Sequence, residues 1–379
     1  MRTWTTAWTA SPQRPSEGFE PNWSLEGFHN HTIRQTVRVT AGGRAARVTL
    51  SNEYGRTPLL IGAASIARAR PDGTIEAETL RPLTFDAAGA AKIAAGGVAA
   101  SDRADLALAP FDAVVVTIHL PEVTGPSTFH AQAYASSCRA GGGSDEFTET
   151  THSWYYLSDI EVSGGVPAAG AVAAFGDSIT DGFGSTYDAN RRYPDRLAER
   201  LTALGRPRPV LNAGIGGNLV LNDSRWFGES ALRRFDRDVL AKSGVSTVIL
   251  FAGLNDIGFS EVDLPTYKPN ADVAVERLID GVRELAARAR AKGVRAVGAT
   301  LLPMKGAEYY NAASAEKIRR LNAWIRTGGA FDAVVDLHAA LADPGDPEAL
   351  HPRFDSGDHK HPNDLGYAAL AAAIDPGIL

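Results

Sequence analysis

Ser178 stands in the run Gly176-Asp177-Ser178-Ile179-Thr180-Asp181-Gly182, directly after the apolar stretch Ala171-Val172-Ala173-Ala174-Phe175. A serine hydroxyl is a poor nucleophile at neutral pH. It needs an imidazole to take its proton, and the imidazole needs an acceptor to hold its tautomer. The run Asp358-His359-Lys360-His361-Pro362 offers both. Asp358 precedes His361 by three residues, so a turn brings its carboxylate to the ring. Ser178, His361 and Asp358 are therefore the candidate nucleophile, base and orienting acid. His359 competes with His361 for the part of base.

Acyl transfer through a serine also needs donors fixed in advance around the oxyanion of the tetrahedral intermediate. Two further runs can supply them: Asn212-Ala213-Gly214-Ile215-Gly216-Gly217-Asn218 and Gly253-Leu254-Asn255-Asp256. The main-chain N–H groups of Ser178 and Gly217 and the side-chain amide of Asn255 suit the task. A glycine at 217 lets the backbone approach a substrate closely. Blander parts exist for each residue. Ser178 can cap a helix, Asn255 can hold a turn, and Asp358 can do either. Asp177, Asp181 and Asp256 are expected to hydrogen-bond loop backbone rather than do chemistry.

The elements around these runs must hold them together. In the second half, apolar runs at 171–175, 210–212, 247–251, 295–299 and 333–336 alternate with helix-like stretches at 190–204, 229–242, 271–292, 311–326 and 364–373. Val275, Leu278, Ile279, Val282 and Leu285 recur at three- and four-residue intervals, which marks one face of a helix. Strands alternating with helices predict a parallel sheet with helices on both faces. Ligands bind such sheets beyond the carboxyl ends of the strands, and all four runs fall at that rim.

Residues 1–165 read differently. Ile33–Val39 and Arg47–Ser51 alternate apolar and polar residues, and Gly42-Gly43 lies between them, a hairpin signal. Further strands are expected at 59–67, 79–85, 113–120, 128–134 and 147–157, with no convincing amphipathic helix. This predicts an all-β sandwich, jelly-roll-like, over 1–165 and an α/β domain over 166–379, with the boundary at Gly164-Gly165-Val166-Pro167.

Composition narrows the classes of function. The chain has 379 residues, 44% hydrophobic and 22% charged, enough for two ordinary cores. Its formal net charge is −6 and it has no long basic run, so nucleic acid is not an expected partner. Cys138 is the one cysteine, which rules out an internal disulfide and a multi-thiolate metal site. His29 and His31 lack carboxylate partners at ligand spacing, so no metal is expected, and no cofactor. Trp4, Trp8 and Trp23 are expected to pack in a core or between domains rather than stack on sugars. Tyr309 and Tyr310 are weaker candidates for the cleft wall. No apolar run approaches the roughly 18 residues of a membrane span. The first residues lack the apolar stretch of a signal peptide, consistent with a cytoplasmic protein or an exported one whose leader has been removed. GxSxG, HExxH, Walker A and GxGxxG patterns are missing, against the α/β-hydrolase, zincin, NTPase and dinucleotide classes.

The four runs resemble the SGNH hydrolase superfamily, also called GDSL lipases/acylhydrolases. Gly176-Asp177-Ser178 is similar to its nucleophile block, with Ile179 where leucine is usual. Gly217, Gly253-Leu254-Asn255-Asp256 and Asp358-His359-Lys360-His361-Pro362 match the other three blocks in order. Ser230–Asp238, Ala299–Pro303, Thr32–Gln35 and Leu50–Asn52 further resemble arylesterases/acylhydrolases similar to a rumen xylanolytic esterase. The resemblance implies a flavodoxin-like catalytic domain and hydrolysis of carboxylic esters through an acyl-serine, with no metal or cofactor. It also implies a small-molecule or carbohydrate ester as substrate, with a short acyl group, acetyl first. The alternatives are a lipase, lysophospholipase or thioesterase acting on longer chains, or a carbohydrate-binding protein whose hydrolase domain is inert.

Overall fold

In the strand His31–Arg38, Ile33, Gln35 and Val37 are buried while Thr32, Arg34 and Thr36 are half-exposed, the period-two pattern of a sheet with one face in a core. The computed structural model describes residues 4–142, 144, 146–165, 169–267 and 272–379. Gly143 of the glycine turn, Val166 and Pro167 of the expected boundary and Ala271 of the expected helix lie outside them. The chain divides into two compact units, Met1–Ala169 and Gly170–Leu379.

The first unit is built from two main antiparallel sheets. One has six strands in the order Glu149–Thr151, Ser137–Gly141, His31–Arg38, Ala113–Leu120, Ala63–Arg68, Arg81–Pro82. The other has four, in the order Trp4–Thr9, Leu157–Ser163, Ala45–Ser51, Val98–Ala100. Ile33, Val37, Val116 and Ile118 from the first sheet and Val48, Leu50, Ile160 and Val162 from the second belong to one buried cluster. Trp8 and Trp23 join it, as packing rather than as an exposed platform. Trp4 is half-buried beneath the guanidinium of Arg47.

The expected hairpin between 33–39 and 47–51 is not formed. Its two strands lie in opposite sheets. Gly42-Gly43 carries the chain from one sheet to the other: Gly43 N–H donates to Leu108 O at 2.9 Å. A Cβ at Gly42 would stand 2.4 Å from that same carbonyl oxygen. A close approach, not a tight turn, requires glycine there.

The second unit has a five-stranded parallel sheet. Ala171–Gly176, Val210–Gly214, Val245–Phe251, Arg295–Ala299 and Ala333–Val335 are arranged in the order 2-1-3-4-5, which is the flavodoxin-like topology. Every residue of Ala171–Gly176 is buried, which is why this strand reads as a continuous apolar run. Helices Tyr193–Ala203, Leu337–Leu341 and Asp364–Ala373 form one packed group, and Ala231–Phe235, Val275–Ala291 and Ala312–Thr327 form another. The stretch read as a helix over 229–242 is one α turn, Ala231–Phe235, continued by a wider π turn, Asp236–Leu240. No described helix is long and apolar enough to cross a membrane.

Ile160 is fully buried between the two sheets of the first unit. Ile160→Ala should lower stability by about 2–5 kcal/mol. Urea denaturation measures this; a loss below about 1 kcal/mol would mean that the two sheets do not share a close-packed core.

Candidate active site

The strand Ala171–Gly176 ends where the backbone must turn sharply. A Cβ at Gly176 would lie 2.2 Å from Phe251 O and 2.3 Å from Thr180 Oγ1, so no larger residue fits. Asp177 then caps a one-turn helix, Ser178–Asp181, by accepting from Ile179 N–H at 3.1 Å. Gly182 closes that turn in the left-handed region at φ 117°. Ser178 is thereby held at the end of the strand with 8% of its surface exposed.

His361 arrives from the far end of the same unit. Ser178 Oγ and His361 Nε2 are 2.7 Å apart. On the other side of the ring, His361 Nδ1 and Asp358 Oδ2 are 2.5 Å apart. Burial works against the charged form of Asp358. The hydrogen bond and charge of His361 outweigh it, helped by the main-chain N–H groups of His361 and Lys360, and hold the carboxyl well below the usual range. An ionised Asp358 makes Nδ1 the donor and leaves Nε2 free to accept the serine proton. The ring of Phe183 packs on His361 with centroids 4.3 Å apart. Next, Pro362 is followed by Asn363, whose side chain caps the helix Asp364–Ala373 by accepting from Leu365 and Gly366 N–H.

His359 does not reach the serine. It sits at φ +64°, which turns it outward, and it pairs with Asp355 at 2.7 Å. Its side chain is 53% exposed.

The second and third runs meet beside Ser178. Ile215 N–H donates to Gly176 O at 3.3 Å. Gly217 has φ +72°, and a Cβ there would stand 2.4 Å from the ring of Phe227. Among the described residues nothing accepts from Gly217 N–H. Asn255, in the short helix Leu254–Gly258, donates one amide hydrogen to Asn218 O at 3.1 Å and keeps the other.

Buried acids hold the loop between them. Asp181 accepts from Gly216 N–H at 2.8 Å. Asp256 accepts from Val220 N–H at 2.8 Å and Leu221 N–H at 3.1 Å. Asp177, Asp181 and Asp256 thus bind loop backbone, as their types suggested. Burial pushes the Asp177 carboxyl up to about 7, against its hydrogen bond from Ile179. Burial likewise pushes Asp256 up to about 6, against its backbone donors.

The remaining candidates lie elsewhere or pack. Tyr309 is buried beside Phe259 and Tyr267, with Lys360 Nζ 3.9 Å from its ring centre. Tyr310 bonds Glu348. Cys138 is half-buried in a strand of the first unit beside Thr150. Among the described residues no group of three or more His, Cys, Asp or Glu side chains could hold a metal ion. Sequence reasoning passed over Arg234 and Asn218, which are buried under the loop. Arg234 lies in the run Ser230–Asp238 and Asn218 closes the run Asn212–Asn218, but neither pattern says that these side chains are buried.

A serine, an imidazole and a carboxylate in this geometry, at the rim of a parallel sheet, form an arrangement that is able to carry out acyl transfer. Residues 174–369, more than half of the chain, match the GDSL-like Lipase/Acylhydrolase family model, and the chain belongs to that family. It is a carboxylic ester hydrolase. Similar solved structures include a lipase/acylhydrolase from Enterococcus faecalis, 19% identical with a TM-score of 0.41, covering 54% of this chain and 92% of that one. An acetylxylan esterase from Geobacillus stearothermophilus is 22% identical with a TM-score of 0.41, covering 54% and 91%. A GDSL-like lipase from Bacteroides thetaiotaomicron is 20% identical with a TM-score of 0.40, covering 55% and 88%. Comparison with curated proteins finds no match.

The raised carboxyls carry a stability consequence. Between about pH 4 and pH 7 folded Asp177 keeps a proton that the unfolded chain has lost, so stability falls as pH rises through that window. Asp177→Asn keeps the cap acceptor and removes the titration. The variant should show a flatter dependence of its unfolding midpoint on pH, by up to about 1.4 kcal/mol per pH unit. Parallel curves for variant and wild type would show that Asp177 titrates normally in the fold.

Proposed function

We propose that this ester hydrolase acts through an acyl-serine formed on Ser178 and prefers short acyl groups, acetyl first, on carbohydrate or aryl alcohols. The hydrogen-bonded chain Ser178–His361–Asp358, 2.7 Å and 2.5 Å at its two links, is the observation that carries the reading. Ser178 Oγ attacks the ester carbonyl as its proton passes to His361 Nε2. Asp358 stabilises the imidazolium and holds the ring. The oxyanion meets the N–H groups of Ser178 and Gly217 and the free amide hydrogen of Asn255. Collapse breaks the bond to the alcohol, which leaves with the proton from His361. Water, giving a proton to His361, then attacks the acyl-serine; collapse breaks the bond to Ser178 Oγ, which takes that proton back as the carboxylic acid leaves. No metal or cofactor takes part.

The preference for short acyl groups rests on the resemblance of the chain's runs to arylesterases/acylhydrolases. A series of aryl esters from acetate to decanoate tests it: kcat/KM should peak at acetate or propionate. A peak at eight carbons or more would favour a lipase or thioesterase instead.

Ser178→Ala should lose turnover by several orders of magnitude while remaining folded. Asn255→Ala should lower kcat by ~10²–10³ with little change in KM. A folded Ser178→Ala protein with near-native turnover would sink the nucleophile, and a rise in KM alone would make Asn255 a ground-state contact.

The pH profile separates the two histidines. Wild-type kcat/KM should rise along one acid limb, as the base loses its proton, to an alkaline plateau. Asp358 stays ionised across this range, so Asp358→Asn removes a charge and the tautomer lock. It should lower the plateau, whereas His359→Ala should leave plateau and limb in place. Loss of the limb in His359→Ala but not in His361→Ala would reverse the assignment.

A further inference from the structure

Among the described residues Arg234 is the largest fully buried side chain, and the mechanism above does not use it. A buried guanidinium is costly unless every charge and donor is met. Here they are met by groups that matter. Nη2 donates to Gly176 O at 2.7 Å, two residues before the nucleophile. Nη1 donates to Ala213 O at 2.8 Å, near the end of the neighbouring strand. Nε donates to Asn218 Oδ1 at 2.9 Å. The face of the guanidinium lies over the ring of Phe175, 4.1 Å from its centre. Its charge is balanced by Asp238, which is also fully buried, at 3.1 Å. The π turn Asp236–Leu240 begins two residues after Arg234 and carries Asp238.

Asn218 relays this grip. Its amide nitrogen donates to Phe227 O at 2.9 Å and Glu229 O at 2.8 Å, and its main-chain carbonyl accepts from Asn255. Its neighbour in the chain is Gly217. One planar fork therefore touches the strand that ends two residues before Ser178, the strand that leads into the Gly217 loop, and the residue on which Asn255 rests.

We propose that Arg234 is a positioning residue for the oxyanion hole: by holding the Gly176 and Ala213 carbonyls and the Asn218 side chain at once, it sets the spacing between the N–H of Ser178 and the donors of Gly217 and Asn255. The proposal rests on the acyl-serine reading given above. An ordinary core residue at 234 would stabilise the unit without discriminating between ground state and transition state. A positioning residue acts on the transition state, because the oxyanion exists only there. Arginine is required over lysine because three acceptors in different directions need a planar fork.

The test uses the full chain with two variants. Arg234→Lys keeps a cation opposite Asp238, so no buried charge is orphaned. The double variant Arg234→Met, Asp238→Leu removes both charges together. Each should fold, as judged by near-UV circular dichroism and a cooperative melt. On an aryl acetate each should lower kcat by about 10–100-fold, since displacement of a reacting group by about 1 Å costs that much. KM should change by less than about threefold and the acid limb of the pH profile should not move. The deciding readout is a cycle with Asn255→Ala: in that background the Arg234 variants should cost clearly less than in the wild type, because one of the two donors they misplace is already gone.

Wild-type kcat in a folded Arg234→Lys or double variant would overturn the proposal. Fully additive losses in the Asn255→Ala background would overturn it too, as would an effect on KM alone. If neither variant folds, Arg234 is a requirement of the fold and not a device of the site, and the proposal falls. Failure of the underlying reading is separate: it would appear as a Ser178→Ala protein that still turns over, whatever the Arg234 variants do.

Discussion

A hydrogen bond of 2.7 Å joins Ser178 to His361 across 183 positions of chain, and the second unit is organised around keeping that distance. Neither residue can hold it alone. Ser178 is placed by a fully buried strand and a glycine that no other residue could replace. His361 is placed by a carboxylate three residues before it and by a capped helix directly after it. Tyr367 of that helix closes the circuit by donating to Phe183 O at 2.5 Å, beside the serine turn. A parallel sheet suits this task because consecutive strands all deliver their loops to one rim.

The rim is held by unusual means. Loops on a surface ordinarily satisfy their backbone with water. Here the Gly214–Leu221 segment is bound from below by Asp181, Asp256 and the Arg234–Asn218 pair, all buried. Each of these groups gives up hydration, and Asp256 sits above its ordinary range as a result. Burial of this kind rarely adds net stability. Under the mechanism proposed above, it holds a loop that need not reorganise when charge appears on a substrate oxygen, and preorganised donors of that sort are a large part of catalysis in general.

The first unit obeys simpler rules. Its strands alternate and its aromatic residues fill the space between two sheets. Gln35, fully buried, ties distant parts of the chain by exchanging two hydrogen bonds with the backbone of Tyr155, at 3.0 Å and 2.6 Å. No tryptophan of its core is set out on a surface as a platform for sugars.

Local pattern determined much of this protein before any coordinates were known. Period two against period 3.6 separated the all-β unit from the α/β unit, because each element must turn one face inward. The four glycine-, serine-, asparagine- and histidine-bearing runs marked the rim, because turns at strand ends need small residues and the chemistry needs these side chains. Three matters depended on tertiary structure. Strand pairing was one: the strands on either side of Gly42-Gly43 entered opposite sheets, since a turn signal reports a change of direction and not a partner. The placement of His359 and His361 was another: the His359 side chain is largely exposed and pairs with Asp355, whereas His361 lies buried against Ser178. The last was Arg234. In sequence it is one arginine among several in a charged helix. Only packing between strand ends removes it from water, and a charge so removed must find its partners among the groups around it.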